Sequence, residues 1–392
     1  MNRESVDDRI ESNKELCDIC VVTHPLGSAG ENATRTLLEI LSTITSVSLI
    51  TADLPAESDI RHQHEVIELP GQSVESSVLW AAMQFLLNQL RMCRIITSRS
   101  EETILFFGAT SYLLPIVFSR LIGKTVLLEP RGNVPLTLQL HWQNKFPEPI
   151  AQKFADSVRL LETIGYHTAN GIITYTPSMA TELGLGQFEE KLYPNGARYI
   201  DTSKFSPETP YDDREHVVGF LGRLDEEKGI RTLATVAKRL PDDVKFVFAG
   251  DGELKEWLET ELAEQVSSGS VEITGWIEHD DVPQLLNRFK LLVLPSQPTE
   301  GLPTVILESM ACGTPVYATP VSGIPDVVCN GETGFLIQEF STDSLVTQIM
   351  TVIDQEYMSE ISGNSRNEIL QSYTYEHSVD RYRKILQQMD RD

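Results

Sequence analysis

The chain has 392 residues, 41% of them hydrophobic, which is enough to bury two substantial cores and predicts two domains. Acidic residues outnumber basic ones 57 to 32, and the formal charge of -25 argues against nucleic acid as a partner, because the protein repels phosphate. Such an acidic composition resembles that of proteins adapted to high salt, and an acidic mesophilic protein is the alternative.

The first half of the chain predicts a parallel sheet covered by helices on both faces, because short β-branched runs alternate with helical patterns. Residues 1–16 are polar, without the apolar core of a signal peptide, and predict a disordered tail. Strands are expected at 19–23, 46–52, 65–69, 103–107, 125–129 and 172–175, and helices at 32–42, 77–92, 111–122 and 148–168. The apolar stretch 104–122 is interpreted as strand, turn and buried helix, since Gly108, Pro115 and Arg120 interrupt it.

The second half predicts another unit of the same kind, after a segment rich in Pro and Gly that ends at Pro210. Strands are expected at 217–221, 245–249, 271–274, 291–295, 315–318 and 334–337, and helices at 229–239, 254–267, 282–290, 304–311 and 342–354. The two domains are therefore placed at 17–205 and 206–375. Five cysteines, including the lone Cys17-x-x-Cys20, form no disulfide or zinc framework and favour a reducing cytoplasm.

The first candidate site follows the strand at 217–221, where Arg223 and Lys228 stand five residues apart, each beside a glycine. Glycines let a ligand approach the backbone, and an arginine with a lysine suits a diphosphate in a chain that otherwise repels phosphate. The alternative is a solvated turn in which both cations pair with the acidic residues 225–227. Taken alone, this motif leaves the two interpretations open.

The second candidate site follows the strand at 291–295 and leads through a Gly/Pro loop into a helix, with Thr304 expected as the N-cap. The start of that helix offers backbone N–H groups and a positive dipole end to a phosphate. Glu300 in the loop and Glu308 one turn inside the helix are expected to accept hydrogen bonds from sugar hydroxyls. For Glu308 the alternative is a carboxylate that only complements the helix dipole.

These motifs belong to a series that resembles the retaining family 4 glycosyltransferases of the GT-B fold, the glycosyl transferases group 1. The series runs in order through the C-terminal half: Gly222-Arg-x4-Lys-Gly, Ala249-Gly-Asp-Gly252, Gly275-Trp276, Pro295-Ser, Glu300-x7-Glu308, Gly313-Thr-Pro, Gly323-Ile-Pro-Asp and Gly331-x2-Gly334-Phe-Leu. The resemblance is weaker in the N-terminal half. It implies an α/β GT-B architecture of two doubly wound, Rossmann-like domains facing a central crevice, with a last helix, 376–392, that crosses back to the first domain.

The resemblance also implies how a nucleotide diphosphate sugar would bind. Arg223 and Lys228 look like the diphosphate-binding cations, Glu308 like the carboxylate on the ribose, and Glu300 like the carboxylate on the sugar hydroxyls. The remaining donor-binding positions would act largely through their backbone, and they are Gly222, Gly275, Trp276, Ile277, Gly301, Leu302, Pro303 and Thr304. For Trp276 the alternative is a core aromatic.

The acceptor side departs from the common pattern of the family. In the loop 24–31 only Gly30 transfers as the glycine that reaches the donor phosphates. Arg131, in the run Glu129-Pro-Arg-Gly, stands where many members place a histidine, and there it would steady a departing diphosphate. The alternative is a surface turn held by Glu129. His141 and the other scattered histidines show no ligand spacing and are expected to be structural or solvent-facing.

No DxD pair follows a strand in the catalytic region, so a metal-independent enzyme without a cofactor is expected, with Arg223, Lys228, Arg131 and Glu300 as its catalytic residues. The resemblance implies transfer to a hydroxyl of a glycan or lipid-linked sugar with retention of configuration. The expected location is the cytoplasm, because the pattern lacks the basic amphipathic face that favours binding to a membrane surface. Attachment to the membrane surface is the alternative. The competing functions are a GT-B epimerase or phosphorylase, and a non-catalytic partner subunit that binds a nucleotide sugar.

Overall fold

The protein forms two parallel sheets, one in each half of the sequence, in a computed structural model that describes residues 17–26, 28–70, 78–143, 146–194, 196, 198–297, 299 and 301–389. Helices cover the sheets, and the predicted α/β architecture of two doubly wound units is confirmed. The predicted tail and Glu300 lie outside the described residues.

The first sheet has the strand order β3-β2-β1-β4-β5-β6-β7. Its strands are β1 Ile19–Thr23, β2 Val47–Ala52, β3 Glu65–Leu69, β4 Thr103–Phe107, β5 Thr125–Glu129, β6 Gly171–Ile173 and β7 Leu192–Tyr193. Its helices are α1 Ser28–Ser42, α2 Ile60–Gln63, α3 Val78–Thr97, α4 Leu113–Leu121, α5 Val134–Gln143, α6 Glu148–Thr168 and α7 Pro177–Glu182. The order reverses between β1 and β4, and this switch point leaves a crevice at the carboxyl ends of those two strands.

The second sheet has the order β10-β9-β8-β11-β12-β13. Its strands are β8 Val217–Leu221, β9 Lys245–Ala249, β10 Val271–Gly275, β11 Leu291–Leu294, β12 Val316–Ala318 and β13 Phe335–Leu336. The helices of this half are α8 Ile230–Ala237, α9 Lys255–Glu261, α10 Ala263–Ser268, α11 Val282–Arg288, α12 Thr304–Ala311, α13 Thr342–Ile353, α14 Met358–Ser372 and α15 Tyr375–Met389. The switch point lies between β8 and β11, the two strands whose following loops carry the predicted phosphate and sugar motifs.

Both faces of the first sheet are buried. Successive side chains of a strand point to opposite faces, so the neighbours of each residue show which helices cover which face. Ile19 and Val21 of β1 belong to the core that includes Leu37 and Leu38 of α1. Cys20 and Val22 belong to a second core that includes side chains of α3, α4 and α6. The helices α3, α4 and α6 therefore form one layer, and α1 lies on the opposite face of the sheet.

The last helix, α15, packs on the first sheet although it follows the second one in the chain. Tyr375 Oη donates a hydrogen bond to the carbonyl oxygen of Glu39 at 3.0 Å, and Ser378 Oγ donates to the carbonyl oxygen of Arg198 at 2.9 Å. Tyr382 Oη donates to Glu129 Oε2 at 2.5 Å. The C-terminus therefore ties the two halves together at the end of β5.

Several local predictions were wrong. The single helix expected at 254–267 divides into α9 and α10, because Leu262 leaves helical geometry at φ -107° and ψ 16°. Helix α12 begins at Thr304 after Pro303, so Thr304 is not the N-cap, and no side-chain cap bond is formed there. Helix α4 is not wholly buried, since Leu121 is 79% exposed. Helix α5 was not predicted. In the described part of the chain, no helix is both long and apolar enough to span a bilayer.

Candidate active site

A cavity of about 680 Å³ lies between the two sheets, at the carboxyl ends of their strands. The first half of the chain contributes the ends of β4 and β5 and the segment around residue 200, and the second half contributes the loop before α12 and the helix itself. The lining residues named in the following paragraphs are Phe107, Glu129, Arg131, Tyr175, Arg198, Lys204, His279, Asp280, Leu302, Pro303, Thr304 and Glu308. This is the crevice that two doubly wound sheets are expected to form.

The glycine turns after β8, β9 and β10 meet backbone to backbone at the carboxyl ends of these strands. The N–H of Gly222 donates to the carbonyl oxygen of Ala249 at 3.0 Å, and the N–H of Gly250 donates to that of Gly275 at 2.8 Å. A Cβ on Gly250, where φ is +132°, would lie 1.9 Å from the carbonyl oxygen of Gly222. Glycine is required at this position because no side chain fits between the two strands.

Arg223 and Lys228 differ in their surroundings. The Arg223 side chain is 58% exposed and forms ion pairs with Asp225 and Glu227. Lys228 is buried, at the end of a short 3-10 helix that precedes α8. The solvated turn weighed above as an alternative therefore describes Arg223, whereas burial excludes a solvated position for Lys228. A bound diphosphate would compete with two carboxylates for Arg223, whereas Lys228 is already withdrawn from water.

Glu308 is held by a histidine that the sequence pattern did not single out. His279 Nε2 lies 3.2 Å from Glu308 Oε1, and His279 Nδ1 lies 3.0 Å from Nζ of Lys204. Because an ammonium group only donates, Nδ1 accepts and the proton on Nε2 is donated to Glu308. Lys204 also donates to Asp280 Oδ1 at 2.6 Å. His279 is 59% exposed, as expected of the scattered histidines, but it also lines the cavity and contacts Glu308.

Arg131 lies at the contact between the two halves. Its guanidinium carbon is 5.3 Å from the centre of the Phe107 ring, and its carbonyl oxygen accepts a hydrogen bond from the N–H of Gly301 at 2.8 Å. A Cβ on Gly301 would lie 2.7 Å from Sδ of Met179 and 2.9 Å from that carbonyl oxygen. Arg131 is therefore a cleft residue, and the surface turn held by Glu129 was a wrong alternative.

Glu129 is a buried carboxyl at the end of β5, and the sequence pattern treated it only as a partner of Arg131. Burial raises the pKa of Glu129 to about 7, against the opposing effects of the hydrogen bond from Tyr382 and the charges of Arg198 and Arg131. Its Oε1 has no hydrogen-bond partner among the described residues. Arg198 lies over the ring of Tyr175, 4.4 Å from its centre.

The predicted site residues divide into three groups. Arg131, Leu302, Pro303, Thr304 and Glu308 line the cavity together. The other described positions are not part of its lining, and they are Gly30, Gly222, Arg223, Lys228, Gly275, Trp276, Ile277 and Gly301. Glu300 lies outside the described residues. Trp276 is 65% exposed, so its interpretation as a core aromatic was wrong.

Comparison with known sequences identifies the C-terminal part of the chain. Residues 201–369 match the family model of glycosyl transferases group 1. The α-D-kanosaminyltransferase of Streptomyces kanamyceticus is 25% identical over 326 residues, which cover 78% of this chain and 79% of that protein. The UDP-Gal:alpha-D-GlcNAc-diphosphoundecaprenol alpha-1,3-galactosyltransferase of Escherichia coli is 29% identical over 221 residues, which cover 52% of this chain and 55% of that protein.

Comparison with solved structures extends the likeness to both halves. The Anabaena protein HepE in complex with UDP-glucose superposes with a TM-score of 0.69 at 19% sequence identity, over 96% of this chain and 98% of that one. At this identity the likeness establishes the fold alone, and the fold is GT-B.

Proposed function

We propose that this protein, whose residues 201–369 match the family model of glycosyl transferases group 1, moves a sugar from a nucleotide diphosphate sugar to a hydroxyl acceptor with retention of configuration. The observation that carries the proposal is the convergence of Arg131, Thr304 and Glu308 on one cavity between the sheets. These residues come from both halves of the chain, so a ligand in the cavity would touch both.

The donor would bind on the side of the second sheet. Glu308, fixed by His279, is suited to the ribose hydroxyls, because a carboxylate accepts two hydrogen bonds and is already oriented by one donor. Lys228 and Arg223 are the proposed phosphate cations at the end of β8. The relatives support this donor class, since the Escherichia coli enzyme is named for UDP-Gal and the Anabaena structure contains UDP-glucose.

The chemistry proposed for the site needs no nucleophile from the protein. The departing diphosphate gains negative charge, which Lys228, Arg223 and Arg131 would stabilise electrostatically in place of a metal ion. The leaving oxygen would then help to deprotonate the incoming hydroxyl on the same face of the sugar, which retains the configuration. Turnover unchanged by a chelator, and a product with the anomeric configuration of the donor by NMR, are the expected results.

The test of the phosphate assignment compares Lys228→Ala and Lys228→Met with Lys238→Met. Lys238 is on the same domain and pairs with Glu261, away from the proposed site. We expect both changes at Lys228 to lower kcat by about 100-fold or more, with unfolding midpoints close to that of the unmodified protein. Lys238→Met should leave kcat unchanged, and full activity of Lys228→Met would refute the assignment. Glu300→Ala is also expected to abolish turnover without unfolding the protein.

The competing functions are separated by binding and product assays. A panel of nucleotide sugars scored by thermal shift identifies the donor, because a bound donor raises the unfolding midpoint by mass action. Product formation that requires an acceptor supports the transferase. An epimerase converts the donor without an acceptor, a phosphorylase needs phosphate, and a partner subunit binds the donor without any turnover. The acceptor, a glycan or a lipid-linked sugar, is proposed only as a class.

A further inference from the structure

An unusual amount of apolar surface is exposed on one side of the first sheet. Eleven of the sixteen large apolar side chains that are exposed in the described residues lie on α3, α4 and α6 or directly after α4. They include Leu121, which is 79% exposed, and Leu160, which is 60% exposed. We call the outer surface of these three helices the α3/α4/α6 face.

These exposed side chains are not part of the core, because each helix packs against the sheet through its opposite side. Met92 and Ile96 of α3 and Ile116 of α4 are at most 2% exposed and pack against the strands. A helix with one buried face normally presents polar residues on the other. On α3, however, Met83, Leu86, Leu87 and Leu90 follow the i, i+3, i+4, i+7 spacing of a single stripe, and all four are exposed.

The charge of this region is opposite to that of the rest of the protein. Residues 78–170 contain nine Lys and Arg against six Asp and Glu, which gives this segment a net charge of +3. Since the whole chain has a net charge of -25, the remaining residues together carry -28. Helices α3 and α4 carry Arg91, Arg94 and Arg120, all exposed, and contain no acidic residue. Helix α6 is close to neutral, with Glu148, Asp156 and Glu162 against Lys153 and Arg159, so the cations border the α3 and α4 part of the apolar surface.

This combination fits an anionic lipid surface better than a second copy of the chain. Two copies docked through this face would bring the arginines of both together. The other exposed apolar side chains, such as Val266, Phe340 and Leu370, lie in the second half of the chain and offer no comparable patch. A bilayer with anionic headgroups provides both an apolar interior and a negative surface, and its charge would repel the acidic remainder of the protein.

We propose that the α3/α4/α6 face docks on a membrane that contains anionic lipids. The exposed leucines insert at the boundary between headgroups and acyl chains, and Arg91, Arg94 and Arg120 contact lipid phosphates. The sequence pattern gave attachment to the membrane surface only as an alternative, because the members of this face are spread over three helices separated by strands. The proposal does not depend on sugar transfer, since it rests on a surface outside the cavity.

The test is flotation of the full chain with vesicles of phosphatidylcholine alone and of phosphatidylcholine mixed with phosphatidylglycerol. We expect the protein to float with the mixed vesicles only. The triple variant Leu86→Gln, Leu90→Gln, Leu121→Gln should lose about tenfold in partitioning for each leucine. Arg94→Gln with Arg120→Gln should lose about fivefold for each arginine. The matched control, Val266→Gln, Phe340→Gln, Leu370→Gln, should float like the unmodified protein.

Four results would overturn the proposal. They are no flotation with the mixed vesicles, equal flotation with neutral vesicles, a triple leucine variant that floats normally, and a dimer in solution that the triple variant converts into a monomer. The variants change only exposed side chains, and circular dichroism with thermal unfolding checks that each remains folded. Light scattering measures the oligomeric state.

Discussion

Replacing Glu129 with glutamine is expected to remove a pH-dependent loss of stability. Burial raises the pKa of Glu129 from its ordinary 4.5 to about 7. The folded state therefore prefers the protonated carboxyl, and this contribution to stability is complete below pH 4.5 and is lost as the pH rises through about 7. A shift of that size corresponds to about 3 kcal/mol of unfolding free energy.

Urea denaturation at several pH values measures the effect. Glutamine has the same shape and keeps an acceptor for Tyr382, but it carries no charge. We expect Glu129→Gln to match the unmodified protein below about pH 4 and to be more stable by about 3 kcal/mol near pH 9. A constant difference between the two proteins across this range would refute the reasoning, because a structural effect of the substitution does not follow the titration.

Glu162 provides a matched control, because burial also raises its pKa to about 7. It accepts a hydrogen bond from Thr110 at 2.5 Å and is a buried residue of α6, whereas Glu129 lines the cavity. Glu162→Gln should therefore reproduce the change in stability.

With the donor that the thermal-shift panel identifies, turnover should rise as Glu129 ionises near its pKa of about 7, since a carboxylate beside Arg131 and Arg198 orients both cations. Glu129→Gln should lack this rise, and Glu162→Gln should keep it.

Two further predictions concern packing and salt. Gly301→Ala should lower the unfolding free energy by about 1–3 kcal/mol, because its Cβ would meet Met179 and the carbonyl oxygen of Arg131, and thermal unfolding measures the loss. Gly363→Ala, in α14 with open space around it, should instead gain about 0.5–1 kcal/mol. If the acidic surface is an adaptation to high salt, the unfolding midpoint should rise in molar salt as repulsion is screened, and equal midpoints would eliminate that interpretation.

The strands could be predicted closely from the sequence. The ranges of β1, β3, β4, β5, β8 and β9 agree with the prediction residue for residue. A strand buried on both faces is a continuous run of apolar and β-branched residues, and this signal is local. Helix ends were less accurate: α3 continues to Thr97, five residues beyond its predicted end, because packing stabilises a helix past the point where its pattern weakens.

Two of the predicted motifs lie where the sequence placed them in the fold. Arg223 with Lys228, and the segment 301–304 with Glu308, stand at the ends of β8 and β11, which a parallel sheet brings to the same edge. Order and spacing therefore located these groups without coordinates. Composition likewise predicted two domains, because the length and the hydrophobic fraction exceed what one core holds.

Tertiary structure alone decided which distant groups meet. Tyr382 reaches Glu129 across 253 positions of the chain, and the N–H of Gly301 meets the carbonyl oxygen of Arg131 between the two halves. His279 meets Glu308 although no spacing rule relates them. The net charge of -25 also concealed the exposed arginines and leucines of α3 and α4, because composition averages over the surface. Local patterns determine the elements of this protein, but burial, pKa and surface charge depend on how those elements pack.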